Sequence, residues 1–212
     1  MNQHDMNLVL QDVRKAYILL ADYQQRVIEL INYIKKNLNV EHYCYNMPHS
    51  FNWSSFNRIY NPANNIGWDF LPMIDLKILW HKTKNVPNGE EWQYNVQKGD
   101  LVFVIHIASN ENNSENNSGK LSTIESRSKL HIYIYQCLKY KRKRNWHDDV
   151  WDRSRNNLKF EEIITYKDET GEIEYQIYGE RLDLSQMYDE EGVKELLDAF
   201  RQRASAKLGQ KI

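Results

Sequence analysis

Two stretches of strict alternation, Asp100–Ala108 and Leu130–Lys139, constrain this chain more than anything else in it. In the first, Leu101, Phe103, Ile105 and Ile107 point one way, and Val102, Val104, His106 and Ala108 the other. In the second, Ile132, Ile134 and Leu138 share a face, with His131, Tyr133, Tyr135 and Cys137 opposite. A period of two is the repeat of an extended strand, so the pair predicts the centre of an antiparallel sheet. Between them runs SNENNSENNSGKLSTIES, which has almost no apolar side chains to offset the entropy of ordering it. Residues 109–128 therefore read as a mobile excursion of one hairpin.

The remaining segments arrange themselves around that pair. Trp68–Lys82 alternates as a strand, and Pro72 makes it either an edge strand or one that begins after the proline. Leu158–Tyr166 and Glu172–Tyr178 form a further hairpin about the Lys167–Gly171 turn, and Arg181–Leu184 extends the sheet. Asp5–Leu38 carries apolar residues at threes and fours from Leu10 to Leu38, the helical repeat, with Asp5 as its N-cap. So long a helix either kinks near Asp22–Gln25 or packs part of its stripe on a second chain. Asp189 caps a last helix over 190–208, which Gly209 ends. Asn39–Gly67 is aromatic and Asn-rich, without periodicity. The order of elements predicts one α+β domain over residues 1–212. It holds an antiparallel sheet of about five strands within 68–184, with a long N-terminal helix (1–38) and a C-terminal helix (189–208) packed against it.

Composition limits the function classes. A net charge of −1 supplies no global field for nucleic acid or membrane, although a local patch still can. Only 8 glycines and no P-loop, GxGxxG, GxSxG or HExxH leave the familiar catalytic signatures unfilled. The 2 cysteines, Cys44 and Cys137, make no disulfide framework, which suits a reducing cytoplasm. No secretory leader or membrane-length apolar run is visible, so the expectation is a cytoplasmic protein without a membrane partner.

Three groups of residues could carry chemistry. The strand phases put Asp75, Lys77, His106 and His131 on one face, with His106 and His131 nearly opposite each other. Paired imidazoles near a carboxylate resemble a divalent-metal site of His106, His131 and Asp75, and Asp75-Leu76-Lys77 resembles the carboxylate–lysine pair of metal-dependent nucleases. Helix-covered core histidines are the structural alternative. The run Lys139, Lys141, Arg142, Lys143, Arg144, followed by Trp146, offers cations for phosphates and a ring for bases, with Asp148, Asp149 and Asp152 opposing it. The reading these observations favour is a non-enzymatic interaction protein: an adaptor, inhibitor or accessory subunit that needs no cofactor. Its expected partner is another protein, or a second copy through the N-terminal helix. A nucleic-acid-binding protein or metal-dependent nuclease, using the residues above, is the alternative, and a small-ligand-binding domain the third.

Overall fold

The structure, a computed structural model, describes residues 2–46, 75–111, 127–141 and 144–212. It divides into two compact units, residues 1–38 and 39–212. The first is a single unbroken helix, α1 (Gln3–Leu38). Its N-terminus is closed reciprocally: the Asp5 amide donates to Asn2 Oδ1 at 2.9 Å, and the Asn2 amide to Asp5 Oδ2 at 3.2 Å. Asn2 is therefore the cap, and Asp5 stands three residues in as the returning acceptor, which corrects the expected cap by one turn. Asn39, at φ 51°, ends the helix in the left-handed region that asparagine tolerates.

The second unit is built on a six-stranded sheet: β1 (Glu41–Asn46), β2 (Asp75–Lys82), β3 (Leu101–Glu111), β4 (Arg127–Lys139), β5 (Ile163–Lys167) and β6 (Glu174–Asp183). The spatial order is β1-β2-β3-β4-β6-β5, and every neighbouring pair is antiparallel. The α+β architecture with an antiparallel sheet and terminal helices is as the alternation predicts. The additional strand, β1, comes from the stretch without periodicity. β2 starts at Asp75, after Pro72, and lies inside the sheet. The two segments read separately as Glu172–Tyr178 and Arg181–Leu184 are one strand, β6, which enters between β4 and β5.

One face of the sheet carries Leu101, Phe103, Ile105, Ile107, Leu130, Ile132 and Ile134, all at or below 1% exposure. α2 (Glu190–Leu208) lies along β6 and buries Val193, Leu197, Phe200, Ala204 and Leu208. It is pinned by polar contacts at two points. Arg203 grips the buried Glu180 carboxylate through Nε at 3.0 and 3.2 Å and a second nitrogen at 2.6 Å. Past the helix end, Gln210 bridges Gln136 and the Gly99 carbonyl, each at 2.7 Å. Asp189 caps α2 through the Gly192 amide, and Gly209 closes it at φ 64°.

The other face is equally buried. Val102, Val104, Tyr133, Tyr135, Cys137, Tyr175 and Ile177 form one cluster with Trp92, Trp146, Val150 and Trp151. The tryptophans come from the connections before β3 and after β4, the latter through short helical turns at His147–Trp151, Asp152–Ser154 and Arg155–Asn157. Rings that bring both area and a polar handle let a loop act as a core layer. Gly179 leaves room for its cross-strand neighbour: a Cβ there would sit 2.3 Å from the Tyr133 ring. At the start of β3 the buried Asp100 carboxylate accepts from the Gln97 and Lys84 amides at 2.8 and 3.1 Å, while its carbonyl accepts from the Cys137 amide at 3.0 Å.

The stretch expected to be a mobile excursion lies mostly outside the described residues, but its two strands remain paired as far as Glu111 and Arg127. Replacing residues 112–126 with a short Gly-containing turn should leave one cooperative unfolding transition, with stability within about 1 kcal/mol of the parent by urea denaturation. A non-cooperative transition would mean the stretch is part of the core.

Candidate functional site

The register of the sheet brings three of the four proposed catalytic residues into one rung. Lys77 pairs with His106, His106 with His131, and His131 with Arg181, across β2, β3, β4 and β6. The His106 and His131 rings meet edge to face, centroids 5.0 Å apart. His131 is buried, and the Phe160 ring stands 5.0 Å from it. The Arg181 guanidinium in turn covers Phe160 at 4.5 Å. Rings stacked and capped in this way are packing contacts. Asp75 falls one rung further along, opposite Ala108, and its side chain lies outside the described residues. Among the described residues, which leave out the Asp75 side chain, the three groups close enough to share a metal ion are His147, Asp148 and Asp152. That trio is at the surface and internally satisfied, with His147 Nδ1 at 3.4 and 3.7 Å from the two carboxylates and Arg155 at 3.5 Å from Asp152.

The described cations of the basic run are engaged locally. Lys139 donates to the Gly171 carbonyl at 2.6 Å, Lys141 to both Glu172 oxygens at 2.7 and 2.8 Å, and Arg144 lies 3.4 Å from Asp149. Arg142 and Lys143 lie outside the described residues. Trp146 corrects the expectation of a base-stacking ring. It is 0% exposed and packs on Tyr135 and Trp92 at 5.3 and 6.0 Å. Its apolar payload went inward, while the charges beside it stayed in water. Cys137 is a core thiol, pushed by burial up to about 12, far from a nucleophile's range.

His81, which the strand phase puts on the same face as Lys77 and His106, lines a cleft of about 490 Å³ with Glu41, Thr83, Glu90, Glu91 and Trp92. His81 stacks on Trp92 at 4.5 Å with the planes 15° apart. Its Nδ1 is 3.1 Å from the Thr83 hydroxyl and its Nε2 3.9 Å from Glu41.

The remaining candidate is a surface. Eleven large apolar side chains are exposed among the described residues, and nine of them lie on α1: Met6, Leu8, Val9, Leu10, Val13, Tyr17, Ile18, Leu19 and Ile28. That concentration on one helix distinguishes it from the scattered exposure of an ordinary surface. Tyr17 and Leu19 are 68% and 69% exposed. The stripe starts at the capped N-terminus and runs more than three turns without a proline or glycine. No helix among the described residues is long and apolar enough to cross a membrane.

Comparison with known proteins fits this chain end to end into one family. The PM0109 family model matches residues 3–209. The chain belongs to the PM0109 family. A protein of Pasteurella multocida (strain Pm70), described as uncharacterized protein PM0109, is 48% identical over 212 residues, covering all of both chains. The family match thus takes in α1 as well as the sheet. No solved structure matches.

His81 provides a pH handle on the fold. Burial lowers its pKa below the ordinary 6.5, with Glu41 pulling weakly the other way. The unfolded chain then binds the proton more readily, so the contribution of His81 is complete above 6.5 and drains away as pH falls through the window below it. Urea midpoints measured at about pH 7.5 and about pH 5 should fall on acidification, and fall less in His81→Phe, which keeps the stack on Trp92. An equal fall in both proteins would show that His81 is not the group responsible.

Proposed function

We propose that this protein is a non-enzymatic interaction protein whose working surface is the N-terminal half of α1. The observation that carries the reading is the exposed apolar stripe of Met6, Val9, Leu10, Val13 and Tyr17 on a capped, uninterrupted helix. An isolated helix of this kind gains its stability from tertiary or quaternary packing of its apolar side, not from propensity. An amphipathic helix that lays such a stripe into a complementary groove is a recurrent recognition mode. The nucleic-acid reading draws less support, because the described cations of the basic run are engaged by Glu172, Asp149 and a carbonyl, and Trp146 is core.

In-cell crosslinking tests the proposal. Lys15 lies in the same turns of α1, 63% exposed on the side away from the stripe, so a lysine crosslinker with a long spacer is used to reach past the helix to a bound partner. Intermolecular crosslinks from Lys15 to a polypeptide are expected, and a Val13→Asp/Tyr17→Asp variant should lose them at least about tenfold, the size of a hot-spot loss. Lys15 that forms no intermolecular crosslink while surface lysines of the sheet unit do so would overturn the reading.

A further inference from the structure

We infer that the occupant of the α1 stripe is a second copy of the same chain, packed antiparallel; this rests on the interaction reading above. The apolar positions of α1 repeat at sevens as well as at threes and fours. Met6, Val13, Leu20, Val27 and Ile34 occupy the first heptad position, and Val9, Ala16, Tyr23 and Leu30 the fourth. A seven-residue repeat sustained over so many turns is the seam of a coiled coil. Along that seam Val27, Leu30, Ile34 and Leu38 are buried within the chain, whereas Met6, Val9 and Val13 are exposed. The available seam therefore lies in the half before Val27.

The flanking positions choose the orientation. In a parallel pair Asp5 would face Leu10 of the other helix, and Asp12 would face Tyr17, carboxylates against apolar side chains. In an antiparallel pair the register that pairs Met6 with Tyr23, Val9 with Leu20 and Val13 with Ala16 sets Asp5 of one copy beside Arg26 of the other. It also brings Leu10 to Tyr17 and Gln3 to Gln24, and leaves Asp12 beside Leu19 as the one carboxylate against an apolar side chain, where the parallel pair has two. Each contact occurs twice by symmetry, as an isologous interface requires. Sliding one heptad inward would bring Asp12 against its own copy. Sliding one heptad outward would need Val27 and Leu30, which are buried. This antiparallel register fills the apolar layers, uses only the exposed half of the helix and pairs Asp5 with Arg26 at both ends.

The test is sedimentation equilibrium of the full chain over a concentration series, with charge-exchange variants. The wild type should be a reversible dimer, and Val13→Asp a monomer with an unchanged far-ultraviolet spectrum in the strand region. Asp5→Arg and Arg26→Asp should each weaken the dimer roughly tenfold, since each sets like charges together at both ends. The double exchange should recover most of the affinity lost by Arg26→Asp, short of wild type because Asp5→Arg also removes the acceptor of the Asn2 amide. A wild type that stays monomeric at about 100 µM, a dimer indifferent to Val13→Asp, or single exchanges that the double fails to rescue would each overturn the inference. A monomeric wild type that still crosslinks through Lys15 to a different polypeptide would leave the interaction reading standing.

Discussion

The pairing of β3 with β4 is the constraint on which the rest of the sheet unit depends. His106 stands opposite His131, and every pair from Leu101–Gln136 to Ala108–Lys129 follows from that alignment. A slip of one residue would exchange the two faces. Here neither face tolerates the exchange: one is matched to α2 through Glu180 and Arg203, the other to a layer of tryptophans. The same register puts Gly179 under the Tyr133 ring and lets the Asp100 backbone close on Cys137. β2 and β6 then add outward on strands whose order is already determined.

That arrangement shapes where activity can reside. The histidine rung has two of its members in ring-on-ring contact and its buried member under Phe160, so the chemistry suggested by its residue types is taken up in packing. Of the described cations of the basic run, Lys141 is neutralised by Glu172 from the next hairpin and Arg144 by Asp149. What the described molecule leaves to water in quantity is apolar surface on α1, and apolar surface is the currency of association.

Much of this was legible in the sequence. Alternation located β3 and β4, the Lys167–Gly171 turn located the β5–β6 hairpin, and Asp189 and Gly209 bracketed α2. The phase argument also placed His106 opposite His131 correctly. What resisted reading depended on contacts distant in the chain. β1 is six residues with no apolar alternation, recognisable only from its partner β2. Trp146 looks like a surface ring because charges surround it in sequence, and only Tyr135 and Trp92 show that it is core. Lys141 looks free until Glu172, on the far side of a strand and three helical turns, reaches it. The heptad in α1 was visible from the start, but without knowledge of which part is buried it could not be divided into an internal and an external seam.

Amide hydrogen exchange measured at two protein concentrations tests this account most directly. If the first half of α1 is the associating surface, the amides of residues 5–26 should slow markedly as concentration rises. Those of β4, protected by the sheet itself, should keep one rate throughout. Exchange in residues 5–26 that is slow and independent of concentration would contradict the account, because the stripe would then be satisfied within a single chain.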